Sequence, residues 1–237
     1  MAVIGWIASH TGLPCLYSDT PARVTSGGRV LWDGRGPTLI ADALAVPGEP
    51  TEYRVGAATV TLTRRDDGHA LTDGHGRGRV RLGWLGDDPD DWDARLTLMG
   101  ITSRRTPIAR WGLTPPTPGG TLEAVTEGRA ATAQMRALVG ARGPLIALHS
   151  SAACQTVDCD IPRVRALYLT GASSVVSGRI DLSEREWTLP YQAVDPLEVD
   201  FVGAAPVVTW GEWAGLGGGW RSASALDVAR SIAGMPA

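Results

Sequence analysis

The sequence predicts a mainly β fold with an α+β part. Short stretches with period-two alternation, typical of half-buried strands, recur between turns rich in Gly, Pro and Asp. The clearest helical pattern covers only residues 127–138. Of the 237 residues, 43% are hydrophobic and 20% are charged, which suffices for an ordinary packed core. We therefore expect an N-terminal β-sandwich and a C-terminal β-sheet domain with one packed helix.

The β-sandwich domain is predicted over residues 23–86. Its turns contain Gly27-Gly28, Pro47-Gly48 and Asp67-Gly68. Residues 1–22 precede it as an N-terminal segment with weak alternation, to which no element is assigned. The predicted strands of the sandwich are residues 29–32, 38–44, 53–55, 59–63, 70–71 and 79–82.

An acidic linker is predicted at residues 87–93. In the six residues from Gly86 to Asp91, five are Asp or Gly and the sixth is Pro89, which favours a loop. The alternative is a long hairpin loop inside a single domain. The Asp spacing is not that of an EF-hand, so a solvated linker is favoured over a loop that binds a divalent cation.

The α+β domain is predicted over residues 94–205. A helix at 127–138 places Ala131, Met135, Leu138 and Val139 on one side, and Gly140 is expected to end it. The predicted strands are residues 94–99, 106–111, 121–125, 145–148 and 164–169, followed by a pair at 179–182 and 186–191.

Residues 206–237 are predicted to form a Trp-rich docking tail. Trp210, Trp213 and Trp220 lie within eleven residues, and a short helix is expected at 224–232. A segment with this many aromatic residues and little periodicity is expected to pack on the body of the protein or on a neighbour.

Charge and hydropathy argue against two classes of function. The net charge is −3, so no excess of positive charge favours binding to nucleic acid. All 22 Lys and Arg positions are arginine. No stretch approaches the roughly 20 apolar residues that span a bilayer, and no signal peptide is expected. We therefore expect no membrane insertion.

Three cysteines, Cys15, Cys154 and Cys159, leave three interpretations open. Incidental loop thiols are favoured, because an odd number argues against a disulfide framework. A local disulfide between Cys154 and Cys159 is the second. The third is a metal site in which His149 joins these two cysteines and Asp158 or Asp160 supplies a fourth ligand.

No constellation of catalytic residues is evident. The sequence contains neither a phosphate-binding loop nor a dinucleotide fingerprint. His69 and His75 lie in Asp- and Gly-rich turns and are expected to face solvent. Ser150 adjoins His149, but neighbouring side chains of a strand point to opposite faces, which disfavours a hydrolase. We expect no enzyme activity, no cofactor, and no catalytic or metal-binding residues.

With these elements in place, the chain resembles the minor tail proteins of actinobacteriophages with long non-contractile tails (siphoviruses), in particular distal tail proteins. Residues 45–55 are similar to a strand of the fibronectin-like sandwich in that family, and Leu71–Asp73 with Arg77–Leu82 to the strand that closes it. Residues 121–200 resemble the family's order of strand, helix, strand and strand pair. The segment from Thr209 resembles the Trp-containing repeats that end many such chains.

The resemblance implies a fibronectin-like sandwich and a sheet or barrel like that of a tail tube. It also implies a structural virion protein, assembled in the host cytoplasm, that forms a ring at the distal tail or baseplate. The expected partners are further copies of the chain in a hexamer, the tail tube protein, the tape measure protein, and hub or fibre proteins of the tip. DNA would be passing cargo only. Helix 127–138 and strands 179–191 are expected to supply the ring contacts.

A carbohydrate-binding module for host attachment is the alternative function. The sequence contains nine tryptophans, and tryptophan often stacks on sugars. Several of them, including Trp6, Trp32, Trp84 and Trp111, lie in or beside predicted strands, where core packing is the favoured role.

Overall fold

A computed structural model describes residues 3–9, 11–35, 38–73, 78–87, 96–99, 108–111, 119–141, 143–156, 158–177 and 184–195. The strands are β1 (Val3–Ile7), β2 (Pro14–Ser18), β3 (Arg23–Ser26), β4 (Arg29–Asp33), β5 (Thr38–Ala41), β6 (Pro50–Val55), β7 (Ala58–Thr63), β8 (Ala70–Asp73), β9 (Arg79–Arg81), β10 (Gly83–Asp87), β11 (Leu96–Met99), β12 (Ile108–Trp111), β13 (Gly119–Glu127), β14 (Leu145–Leu148), β15 (Val164–Leu169), β16 (Ser173–Val176) and β17 (Glu184–Ala193). The helix is α1 (Gly128–Gly140). The prediction of a mainly β chain with one packed helix is confirmed.

The described strands form four antiparallel sheets. A four-stranded sheet has the order β4-β3-β6-β7, and a three-stranded sheet the order β1-β2-β5. The largest sheet runs β10-β13-β17-β15-β14-β8-β9, with β16 as an additional partner of β17. Strands β11 and β12 form a separate hairpin. The large sheet has β10 at one end and β9 at the other, so the described strands do not close into the barrel that was one of the two expected forms.

The four-stranded and three-stranded sheets pack face to face around an outer core. Leu16 of β2 and Ile40 of β5 meet Val24, Tyr53 and Val55 of the four-stranded sheet, and all five are buried. Gly5 lets β1 approach β7 closely, because a Cβ at this position would lie 2.7 Å from Cγ1 of Val60. This pair of sheets is a β-sandwich, but it is built from residues 3–63.

The opposite face of the three-stranded sheet packs on the large sheet and forms a central core. Strand β2 is buried at all five positions because its side chains alternate between two cores. Cys15 and Tyr17 point to the central core, whereas Leu16 points to the outer one. The large sheet contributes Ile146 and Leu148 of β14 to the central core, together with Ala70 and Ala166.

Helix α1 covers the other face of the large sheet and forms the helix-side core. Met135 and Leu138 are buried against Leu71, Leu122 and Leu167. The start of the helix is fixed by a buried chain of hydrogen bonds, in which Trp187 Nε1 donates to Thr126 Oγ1 and the Thr126 and Thr132 hydroxyls lie 3.1 Å apart. Apart from the β11–β12 hairpin, the described residues therefore form a stack of three sheets and a helix with three cores between them. None of the described helical residues forms a segment long and apolar enough to cross a membrane.

The sheets combine strands from several of the predicted segments of the chain. The N-terminal segment, residues 1–22, supplies β1 and β2 of the central layer. Strands β8 to β10, expected in the sandwich of residues 23–86, belong to the same large sheet as β13 to β17. Hydrogen bonding within this sheet thus links strands on both sides of the predicted linker. The alternating apolar pattern of β8 and β9 suits either sheet, so the sequence could not reveal which sheet these strands join.

Other predicted elements have mixed outcomes. The helix prediction at 127–138 is confirmed, since α1 spans Gly128–Gly140. Strand β17 is confirmed, but its partner β16, at Ser173–Val176, was not predicted. The predicted strand at 179–182, most of the acidic linker and the docking tail at 206–237 lie outside the described residues.

Candidate functional site

Two histidines face each other across neighbouring strands of the large sheet. Strands β14 and β8 pair with Leu148 opposite Ala70, so His149, just after β14, lies opposite His69, just before β8. The ring centroids of the histidines are 4.6 Å apart, and the Ser150 backbone N–H donates to Nδ1 of His69 at 3.1 Å. Both side chains are buried, with 9% exposure for His69 and 6% for His149.

A tryptophan and an arginine complete the surroundings of the two histidines. The ring centroid of Trp84 lies 5.5 Å from that of His149, in a T-shaped arrangement, and 5.3 Å from that of His69, with the two rings tilted. The guanidinium of Arg165 lies 5.7 Å from the Trp84 ring and donates to Tyr191 Oη at 2.7 Å. The prediction that His69 faces solvent is wrong, because strand pairing draws its turn against β14; burial also lowers the pKa of His69.

The segment after His149 returns two cysteines to the same place. The Cys154 backbone N–H donates to Ser150 O at 3.0 Å, and Ala153 N–H donates to Ser150 Oγ at 3.1 Å, which forms a single helical turn. Asp158 has a φ of 56°, in the left-handed region, and reverses the chain before Cys159. The turn and the reversal place both thiols beside the imidazole.

The three side chains form a compact donor set, the Cys2His cluster: His149, Cys154 and Cys159. One donor atom from each lies within 4.8 Å of the other two, and Cys159 Sγ is 3.4 Å from His149 Nε2. The imidazole is buried, whereas the two cysteines are half-buried. One nitrogen and two sulfur donors at this spacing can hold a soft or borderline divalent metal ion.

The two thiols of the cluster ionise with different ease. A backbone hydrogen bond at Thr156 is the main cause of a lowered pKa for Cys154. The backbone hydrogen bond at Ile161 acts in the same direction on Cys159, but burial and the neighbouring Cys154 outweigh it and raise the pKa of Cys159. Cys154 is therefore the first thiol of the pair to become a thiolate, the form that binds metals.

The third cysteine has a different environment. Cys15 lies in the central core with 2% exposure, and burial raises its pKa to about 12. All three cysteines are free thiols in the structure.

The hydrolase arrangement has no geometric support at Ser150. Its side chain is fully buried, and its Oγ accepts the Ala153 N–H instead of lying free for attack. The structure does bring His149 together with Cys154 and Cys159, the grouping that was the least favoured of the three interpretations of the cysteines. Sequence spacing alone did not reveal that His69 and Trp84 surround it. His10 and His75 lie outside the described residues.

A second polar group, the Asp42 network, lies between the sandwich sheets. Asp42 follows β5 directly and is 3% exposed. Arg29 Nη2 donates to both of its carboxylate oxygens at 2.7 and 2.8 Å, Tyr53 Oη donates at 3.1 Å, and the Leu44 N–H donates at 3.0 Å. Arg64 Nη1 donates to the carbonyls of Ala43 and Ala45 in the same loop. Both carboxylate oxygens of Asp42 thus have partners within the protein.

Part of the large sheet has the local order β10-β13-β17-β16 and two open edges. Leu85 on β10 is 59% exposed, and Val175 and Val176 on β16 are 61% and 53% exposed. Neighbouring residues of a strand face opposite sides, so both faces of β16 carry an exposed valine. Among the described residues, no strand pairs with the outer edge of β10 or of β16.

The four tryptophans whose side chains the structure describes do not form a sugar-binding platform. Trp6 and Trp187 are buried, and Trp32 and Trp84 are half-buried. Their indole rings pack in or against the cores instead of forming an open aromatic surface.

A groove of about 360 Å³ lies beside α1 and is separate from the Cys2His cluster. It is lined by Arg81, Leu82, Gly83, Val125, Glu127 and Ala131. Its wall carries one cation and one anion and no set of converging donors, so it indicates no particular ligand.

Comparison of the chain with protein-family models and with curated proteins found no match.

Proposed function

We propose that the chain is a structural subunit of a long non-contractile phage tail. It forms a ring at the distal tail that joins the tail tube to tip or host-recognition proteins. The proposal rests on the resemblance of residues 45–55, of 71–73 with 77–82, and of 121–200 to minor tail proteins. The observation that carries it is the pair of open, apolar edges on β10 and β16.

These two edges suit head-to-tail assembly. Along β10-β13-β17-β16 every pairing is antiparallel, so β16 of one subunit would meet β10 of the next in the antiparallel sense and continue the sheet. Contact between two different surfaces is heterologous, and it closes into a ring when the rotation between subunits permits. Exposed Leu85, Val175 and Val176 would be buried in that contact.

The free hydrogen-bonding positions of β16 follow from its register. The Ser177 N–H donates to Glu184 O, and backbone groups of an antiparallel strand point alternately to its two sides. Val175 therefore points its backbone groups towards β17, whereas Ser174 and Val176 point theirs to the open edge. A neighbouring strand would pair with Ser174 and Val176.

The contact surfaces expected from the sequence were helix 127–138 and strands 179–191. In this proposal β17 supplies no edge, because β13 pairs with one side of it and β15 and β16 with the other. The outward side of α1 carries Arg129, Ala133 and Arg136, which are exposed, and stays a candidate for a polar rim.

Light scattering over a range of protein concentrations tests the proposal, with the variants Val176→Pro and Val176→Ala compared. Proline removes the outward N–H and blocks strand addition, whereas alanine shortens the side chain and keeps the N–H. We expect the wild type to associate, Val176→Ala to associate about as well, and Val176→Pro to lose at least about tenfold in association constant. Circular dichroism checks that both variants fold.

A second variant distinguishes ring contacts from a symmetric dimer. In head-to-tail assembly, Leu85→Asp and Val176→Pro are each monomeric alone but form a heterodimer when mixed, because each retains one intact edge. A Leu85→Asp protein that still dimerises would indicate β16-to-β16 pairing and contradict the ring. A wild type that stays monomeric at all concentrations and does not co-purify with tails would contradict the proposal as a whole.

A further inference from the structure

We propose that His149, Cys154 and Cys159 form a zinc-binding site. This inference is independent of the assembly proposed above. It rests on the spacing of the three donor atoms, on the buried setting of the imidazole and on the chemistry of the donor set.

The spacing matches that of ligands around one tetrahedral ion. A nitrogen at about 2.0 Å and a sulfur at about 2.3 Å from zinc, separated by the tetrahedral angle, lie about 3.5 Å apart. Cys159 Sγ and His149 Nε2 are 3.4 Å apart, and the Cys154 donor lies within 4.8 Å of both. Little movement is needed to close the three donors around an ion.

The imidazole is held in place before any metal arrives. Its ring packs on His69 at 4.6 Å and on the edge of Trp84 at 5.5 Å, and it is 6% exposed. The backbone N–H of His149 donates to Arg163 O at 2.9 Å, which fixes the residue to β15. A ligand fixed by such contacts loses little freedom on coordination, and surrounding groups of this kind strengthen metal sites.

The donor types select among metals. Two thiolates and an imidazole favour Zn²⁺ over Mg²⁺ or Ca²⁺, which prefer oxygen ligands. Three protein ligands leave one tetrahedral position for water or for a carboxylate of the exposed neighbours Asp158 and Asp160. Coordination displaces the thiol protons, so binding releases protons to solvent.

The expected role of the metal is to close the segment 150–159 onto the end of β14. His149 is anchored in the sheet, whereas both cysteines are half-buried and come from turns. A bound ion would tie the turns to the sheet, and the thermal midpoint of unfolding would rise by several degrees in excess zinc.

The test uses the full chain, reduced and freed of metal by chelation. Zn²⁺ is titrated in competition with a chromophoric chelator, and Co²⁺ is used as a spectroscopic probe for thiolate ligands. We expect one equivalent of Zn²⁺ per chain and a cobalt–thiolate charge-transfer band. Cys154→Ser and Cys159→Ser should each lose at least about 100-fold in affinity, whereas the matched control Cys15→Ala should bind as the wild type does.

The opposite results would overturn the site. They are a reduced chain that binds much less than one equivalent, or serine variants that bind as tightly as the wild type. If the purified protein contains a disulfide between Cys154 and Cys159, it is reduced first, and failure to bind zinc afterwards counts against the proposal. Because titration follows metal on the chain at any oligomeric state, its outcome does not depend on ring formation.

Discussion

The Asp42 network and the Cys2His cluster occupy equivalent places in two different layers. Asp42 is the first residue after the buried strand β5, and His149 is the first residue after the buried strand β14. Each is nearly inaccessible to solvent, with 3% and 6% exposure respectively. Each therefore places a polar side chain where it needs partners from the protein or from a ligand.

The two sites differ in how those partners are supplied. Asp42 receives hydrogen bonds from Arg29, Tyr53 and the Leu44 N–H, so its charge and both its carboxylate oxygens are matched by fixed groups. His149 Nε2 instead faces thiols, which are weak hydrogen-bonding groups but strong metal ligands once ionised. A saturated network serves stability alone, whereas a set of weakly hydrogen-bonding donors is suited to a ligand.

The largest expected effect is the loss of the Asp42 carboxylate. Asp42→Ala leaves Arg29 and the Tyr53 hydroxyl without their acceptor in a buried place, and should reduce the free energy of unfolding by about 3–5 kcal/mol. Urea unfolding measures it. The matched control is Glu52→Ala, which removes the exposed pair with Arg54 and should cost less than about 1 kcal/mol. Equal losses in the two variants would mean that burial of the network does not matter.

Replacing Arg64 should cause the second-largest loss of stability. It is 1% exposed, and burial lowers its pKa to about 10, with Asp42 acting in the opposite direction. Arg64→Met removes the donor to the carbonyls of Ala43 and Ala45, but it also relieves the buried Nη2, which has no hydrogen-bond partner among the described residues. We expect a loss of about 1–3 kcal/mol in urea unfolding. A stabilised variant would show that the cost of burying this cation exceeds the value of its hydrogen bonds.

The Cys2His cluster should respond only when metal is present. With chelator, Cys159→Ser should unfold within about 0.5 kcal/mol of the wild type, because the thiol makes few contacts that matter for stability. With zinc at about 100 times its dissociation constant, the wild type should gain about 2.7 kcal/mol, whereas Cys159→Ser, which binds at least about 100-fold more weakly, should gain less than about 0.5 kcal/mol. Asp42→Ala should lose the same amount with and without zinc. A zinc-independent loss at Cys159 would remove the contrast between the two sites.

The smallest effect concerns pH. Burial tends to raise the pKa of Asp67, but the ion pair with Arg79 outweighs it and lowers this pKa below its ordinary value of 3.8. Asp67 thus adds stability above its unfolded pKa and loses it as the pH falls through the lower, folded pKa. Its side chain is 38% exposed, so solvent screens the pair and the contribution stays below about 1 kcal/mol.

Measuring the free energy of unfolding at neutral and at acid pH checks the direction in which the contribution of Asp67 changes. The difference between the wild type and Asp67→Asn should be largest near neutrality and shrink below pH 3.8. Asp33→Asn, which removes a more exposed pair with Arg23, is the control and should show a smaller change. A difference that grows in acid would mean that the direction of the shift is wrong.

Local patterns predicted the elements that depend on local physics. The alternation at 53–63 predicted β6 and β7, the apolar run at 145–148 predicted β14, and helix 127–138 was placed to within two residues. Each pattern reflects which face of one element is buried, and that information lies in consecutive residues.

Long-range pairing could not be predicted in this way. Residues 14–18 lie in the segment to which no element was assigned, yet they form a strand that is buried on both faces because two other sheets cover it. His69 lies in a turn whose Asp- and Gly-rich sequence predicts exposure to solvent. Only its position opposite His149, 80 residues later in the chain, buries it. The cysteine spacing suggested the cluster, but nothing local indicated how its imidazole is held.

The central layer also sets the order in which the chain can fold during synthesis. Strands β1 and β2 are made first, but one of their faces is covered only when Ile146, Leu148 and Ala166 have been added. At about 5–20 residues per second, roughly 7–30 s pass between these events. During that interval Trp6, Leu13 and Tyr17 lack their final neighbours. The first strands are therefore the part of the nascent chain most prone to aggregate. Slower folding at high contact order extends the same exposure after release.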